Sequence, residues 1–310
     1  LRKRIRRTAT LIGSTVAAGL FLAGCTTAPA AGGPAITDFE YVHGLGHDLR
    51  SGAVFAATHN GVWELPTSAL PSSFGTGSLI SPPDNVPLLV ADRRQDTMGF
   101  LATDTGLLLG SGHPDPTDPS LPSNLGFITS GDGAQTWTAV SLAGETDFHD
   151  IDAVTLPTGA QRVYGYDATQ GTVLISDDSG ATWAPGAALE LRDLVADPVN
   201  PDQVYATTAA GLQISQDAAR TFTPTTGTPA LYLIDSSGTG YVGIDTAGAI
   251  WHAADTGAWV QGGAIVGDAQ ALSFAGGTEP WMLVADDRGV LATRDFGTSW
   301  TSLVESGSGD

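Results

Sequence analysis

The chain has 310 residues, of which 42% are hydrophobic and 15% charged, with 40 glycines, 18 prolines and a single cysteine. All 33 acids follow Cys25 while five of the 13 basic residues precede it, so the part beyond Cys25 carries eight arginines, no lysine and a formal charge of −25. Such a field repels nucleic acid and anionic headgroups and draws cations, which argues against a nucleic-acid partner, and one cysteine excludes an internal disulfide.

In chain order, Arg2-Lys3-Arg4-Ile5-Arg6-Arg7 is a dense positive head, and Thr8 to Gly24 carries no charge. The apolar run is diluted by Thr, Ser and Gly and falls short of the roughly 20 apolar residues of a spanning helix. Small residues close it at Leu22-Ala23-Gly24-Cys25. A basic head, short apolar run and small-residue end make a secretory signal over 1–25. Leu-Ala-Gly-Cys resembles the lipobox of bacterial lipoproteins. The resemblance implies lipidation of Cys25 and an extracytoplasmic domain lipid-anchored to the cell membrane. Residues 26–36, rich in Thr, Ala, Pro and Gly, read as a flexible tether. A folded domain is expected over 37–305, with a disordered tail at 306–310.

The domain is repetitive. Pairs of apolar strands joined by short turns are followed by an octet Ser-x-Asp-x-Gly-x-Thr-Trp. Copies run through Ser130, Asp132, Thr136 and Trp137; Ser176, Asp178, Gly180, Thr182 and Trp183; Ser215, Asp217, Thr221 and Phe222; and Thr293, Asp295, Gly297, Ser299 and Trp300. Asp255, Gly257 and Trp259 form a shortened copy, and Ala134 and Ala219 replace the glycine in two others. A period of about 40 residues suits one four-stranded propeller blade. In each octet the Asp is expected to accept backbone N–H bonds in a tight turn, the Gly to adopt a conformation hostile to a Cβ, and the aromatic ring to pin the turn. The octets resemble the Asp-box, or BNR, repeat of sialidases and related propellers. That resemblance implies a structural role on the rim away from any catalytic centre.

First strands are expected to begin near Val42, Thr97, Phe148, Leu191, Leu231 and Ala269, each followed by a second strand. This predicts an all-β propeller of six blades, each a four-stranded antiparallel sheet. Seven stays open because residues 66–94 are the least legible. A Pro-rich loop from His113 to Asn124 interrupts the second blade.

The first strand of each blade lines the channel, and it starts on the face to which the second strand returns. His43, Met98 and His149 then hold matching early positions in the first strands of blades one to three, while His59 and His113 end second strands on the same face. Imidazole with thioether suits copper, and imidazole with carboxylate suits zinc. The spacing therefore predicts one copper or zinc site from His43, His59, Met98, His113 and His149. Segments around these residues, among them Ala57-Thr58-His59-Asn60-Gly61 and Asp147-Phe148-His149, resemble bacterial lipoproteins labelled glycosylhydrolase or exo-sialidase-like. Against a sialidase, the Phe/Tyr-Arg-Ile-Pro signature is absent and Arg192 alone among the arginines falls at a channel position. The expected function is that of a non-catalytic binding protein with this His/Met site on the channel face; Asp150 and Asp193 are the acidic pair for the alternative, a glycoside hydrolase. A metal ion, a glycan or a surface protein are the expected partners.

Overall fold

The computed structural model describes residues 35–36, 40–71, 74, 79–253, 257–275 and 280–306. Cys25, the signal segment, most of the tether, Asp255 and residues 307–310 lie outside the described residues.

The alternating and apolar runs form six antiparallel sheets whose strands follow one another in chain order from the inner to the outer position. The chain is a six-bladed β-propeller. Inner strands are Val42–His47, Asp96–Ala102, Phe148–Thr155, Asp193–Ala196, Leu231–Ser237 and Ala271–Ala275. Among the described residues of 66–94 there is no seventh blade: they hold two single-turn 3₁₀ segments and a two-residue outer strand, Leu88–Leu89, that completes blade one. Blade six carries a fifth strand, because Ala35–Ile36 pairs in parallel with Glu305–Ser306. Residues 35–36 and 306, on either side of the expected domain limits, thus join the last blade's sheet.

The core is divided among the blade interfaces. Phe55 and Val62 of blade one pack with Phe100 and Leu108 of blade two, Phe127 with Phe148 and Ile151 of blade three, and Tyr164 and Ile175 with Leu194 and Val204 of blade four. Val195 meets Leu231, Ile244 meets Phe274 and Met282, and Trp281 and Leu283 close the ring on Val42 and Val54 of blade one. Inner strands approach closely because glycines face neighbouring blades: a Cβ on Gly44 would lie 2.9 Å from the Phe100 Cβ.

Four octets fold alike. In blade three, Ser176 Oγ donates to Asp178 Oδ1 (2.8 Å) and accepts from the Gly180 N–H (2.8 Å), while Asp178 accepts from the Thr182 N–H (2.8 Å) and hydroxyl (2.7 Å). The same bonds recur around Asp132, Asp217 and Asp295. The fifth residue is left-handed in all four, including Ala134 (φ 66°) and Ala219 (φ 58°). Alanine is tolerated there because its methyl is buried, 2% exposed at Ala134 and 0% at Ala219, which offsets a strain of about 1–2 kcal/mol. The aromatic residue ties blades together: Trp183 Nε1 donates to Ser141 Oγ of blade two at 2.8 Å, and its ring meets Phe127 edge-on.

Candidate metal centre

Local irregularity aims the site. Pairing of the first two strands skips His43 in blade one, Met98 and Gly99 in blade two, His149 in blade three and Tyr232 in blade five. Arg192 and Gln270 stand immediately before the inner strands of blades four and six, their N–H groups bonded to Thr207 and Ala285. A bulge leaves its extra residue unpaired and turns it away from the regular pleat. These positions form a collar at the channel mouth, in which Arg192 lies over the Tyr232 ring (5.1 Å) and bonds the Gln270 carbonyl (3.1 Å).

Three donor atoms converge at one side of the collar. His43 Nε2 lies 3.0 Å from His59 Nδ1 and 3.6 Å from Asp96 Oδ1, and His59 Nδ1 lies 3.1 Å from the same carboxylate oxygen. His59 follows the second strand, its backbone N–H held by the Tyr41 carbonyl at 3.2 Å, and Asp96 opens the inner strand of blade two. The His43 ring is one-tenth exposed, and that of His59 43% exposed, so the triangle opens to solvent on one side. Burial first, then the charges of His59, His149 and Arg192, lowers the His43 pKa to about 3. His43 is therefore a neutral imidazole at physiological pH.

Protons alone satisfy this triangle poorly. A proton on either ring nitrogen serves one edge, and protons on both would oppose each other across 3.0 Å. Four donors about 2.0–2.1 Å from a zinc ion stand roughly 3.3 Å apart at tetrahedral angles. The observed edges of 3.0, 3.1 and 3.6 Å bracket that spacing.

The structure divides the five-residue set expected from sequence. His43 and His59 fall together. Blade two brings Asp96 to them, while Met98 is half-buried at the bulge two residues on. His113 and His149 gather instead on Asp147, with Nε2 atoms 3.4 and 2.9 Å from its Oδ2. Asp96 and Asp147 were both missed as donors. The available signal was position: each lies within two residues of a bulged channel residue, on the same face as the histidines.

Asp150 and Asp193 also come together, deeper in the channel, where they are hydrogen-bonded to each other. Burial, then the charge of Asp193, holds the Asp150 carboxyl well above the usual range, and burial raises Asp193. Each also caps the free inner edge of the next blade: Asp150 Oδ2 accepts the Leu194 N–H (2.6 Å) and Asp193 Oδ2 the Ile234 N–H (2.7 Å). Asp152 and Asp235 do the same for Ala196 and Phe274, both at 2.6 Å. These bonds satisfy backbone donors that a channel-facing strand edge would leave unpaired. Beyond them the channel widens into a cavity of about 470 Å³ lined by His47, Asp152, Asp235, Ser236 and Ser273.

No family model and no curated protein matches the chain. Solved structures do. A gluconolactonase from Xanthomonas campestris aligns with a TM-score of 0.58 at 10% identity, covering 82% of this chain and 86% of that one. A chain of the nidogen/laminin complex aligns at 0.55 and 10% identity, covering 80% and 92%. The GH74 xyloglucanase of Xanthomonas campestris aligns at 0.50 and 16% identity, covering 86% of this chain but 46% of the enzyme, so this chain spans less than half its length. At such identities the likeness establishes the propeller fold, a scaffold that hosts many activities.

Proposed function

We propose that this protein is an extracytoplasmic, lipid-anchored propeller that binds a divalent transition-metal ion through His43, His59 and Asp96. The convergence of three lone-pair atoms at ligand-polyhedron spacing carries the reading. Two imidazoles and a carboxylate suit zinc or divalent copper better than the copper(I) that a thioether would favour. The solvent-open side leaves a position for water or a partner's donor. The four like-built turns support reading the octets as Asp-boxes, rim structures with no part in the chemistry.

Two experiments test the reading. Isothermal titration of the purified protein with zinc and with copper should show binding that His59→Ala abolishes without loss of fold; unchanged binding in that variant contradicts the site. Metabolic labelling with an alkynyl fatty acid should mark the wild type and spare Cys25→Ser, and equal labelling contradicts the anchor.

A second reading, glycoside hydrolysis, would draw on Asp150 and Asp193, but the two carboxyl groups of a glycosidase stand about 5–9.5 Å apart to flank the scissile bond, whereas these two are hydrogen-bonded to each other. The backbone bonds both carboxylates make favour the structural role. Turnover of fluorogenic glycosides that survives chelation and fails in Asp150→Asn would reverse this preference.

A further inference from the structure

The inner strands that carry the metal triangle at one end enclose a separate chamber at the other. His43 is the second residue of the first strand of blade one and His47 the last, about 13 Å further along the channel. There the channel widens into the cavity of about 470 Å³, a size at which small ligands are commonly held. Its wall includes the final residue of every inner strand: His47, Ala102, Thr155, Ala196, Ser237 and Ala275.

Asp152 and Asp235 form the floor, because both also line the narrow part of the channel that the cavity meets. Their carboxyls are fixed in advance of any ligand. Asp152 Oδ2 accepts the Ala196 N–H, and Asp235 accepts the N–H groups of Phe274 and Ser236, all at 2.6 Å. A carboxylate offers about four lone-pair positions, so each keeps acceptor capacity. Asp104 adds a third carboxyl, and among the described residues of the lining there is no arginine or lysine. Burial, then the charge of Asp152, holds Asp235 well above the ordinary carboxylate range. The floor gathers acceptors, and the wall supplies no countercharge.

His47 is an independent sign. It is 8% exposed, its ring packs on Trp281 with centroids 5.3 Å apart, and its Nδ1 is buried with no hydrogen-bond partner. Burial lowers its pKa, so the ring is neutral and brings no positive charge to the cavity. The wall thus holds a polar atom that the chain leaves unanswered.

These features select a ligand class. Carboxyls without a basic group repel carboxylates and phosphates. No Trp or Tyr in the lining offers a flat face for a sugar ring, and Phe274 is buried. Leu101 and Leu49, the latter 43% exposed beyond the strand end, give the wall an aliphatic side. An ammonium at the floor with a short hydrocarbon stem along these leucines matches both surfaces. We propose that the cavity binds a small aliphatic amine, its ammonium held at Asp152 and Asp235. The site lies apart from the metal triangle and does not rest on it.

The test titrates putrescine, which has an ammonium for each carboxyl, into the full-length chain in detergent after metal has been removed by chelation and desalting. Heats are read by isothermal calorimetry against detergent alone, and circular dichroism checks the fold of each variant. One saturable site per chain is expected, and butanediol, the uncharged counterpart, should not bind. Asp152→Asn and Asp235→Asn, which keep an acceptor for the backbone, should each weaken binding at least about tenfold, as loss of a charge-assisted hydrogen bond does. Ser273→Phe, which fills the cavity without changing a charge, should abolish binding. Glu145→Gln removes an exposed charge in the loop that enters blade three and should leave binding unchanged. Equal weakening by Glu145→Gln and Asp152→Asn, with Ser273→Phe still binding, overturns the cavity site in favour of diffuse attraction to an acidic surface. Equal binding of butanediol overturns the amine, and the lack of any saturable binding overturns the proposal outright.

Discussion

His43 Nε2 and His59 Nδ1 stand 3.0 Å apart, one at a bulge in the first strand of blade one and the other just beyond the end of the second. Their contact joins the two positions of blade one nearest the channel mouth, and Asp96 of blade two closes the triangle. Three lone-pair atoms thus converge in a chain whose strongly acidic balance draws cations.

The first prediction concerns affinity. Loss of an outer-shell partner typically weakens a metal site about 10–100-fold. Removing a direct donor by His59→Ala or Asp96→Asn should therefore weaken zinc binding by more than roughly 100-fold, read by competition against a chromogenic chelator. Met98→Leu, which removes the thioether, should leave zinc affinity within about threefold, because the blade-two donor in the triangle is Asp96. A large loss in Met98→Leu would restore sulfur to the site.

Metal should also stabilise the fold. Binding to the native state alone adds about 2.7 kcal/mol at a hundredfold excess over Kd. Zinc should raise the wild-type melting temperature and leave that of His43→Ala with His59→Ala unchanged, as read by differential scanning fluorimetry with and without chelator.

The channel carboxylates make stability depend on pH. Burial raises the Asp152 pKa to about 7, against an ordinary value of 3.8. Between those limits the unfolded chain releases a proton that the native protein keeps, so stability is full below pH 3.8 and declines as pH rises to 7. Asp150 and Asp235, also raised, act in the same direction. Asp178, lowered chiefly by the Thr182 hydroxyl bond, acts oppositely at the acid end. The melting temperature should fall from pH 5 to pH 7. Asp152→Asn keeps an acceptor for the Ala196 N–H, and should flatten that decline and raise the value at pH 7.

Gly180 should tolerate no side chain. Its φ is 86°, and a Cβ would overlap the Phe127 ring of blade two. Backbone strain and overpacking together cost about 3 kcal/mol. Gly180→Ala should melt roughly 6–12 °C lower, and an unchanged melt would remove the turn from the account of blade packing.

Six blades, their strand starts and the octet turns were legible because each rests on a local period, either alternation along a strand or the Ser–Asp–Thr spacing of a turn. Blade one has no octet, so its two-residue outer strand at Leu88–Leu89 gave no periodic signal. The His-bearing face was legible from strand polarity alone. Its division into two clusters was not, because bulges at His43, Met98 and His149 shift the register by one or two residues and decide which side chain meets which. Asp96 and Asp147 looked like any of 33 acids until those bulges placed them.

The central claim is that His43, His59 and Asp96 share an ion. An anomalous difference map collected at the zinc edge from zinc-equilibrated crystals tests it most directly. A peak about 2.0–2.1 Å from His43 Nε2, His59 Nδ1 and an Asp96 oxygen is the predicted result. A map with no peak between those three atoms, at zinc in excess and with the side chains ordered, would contradict it.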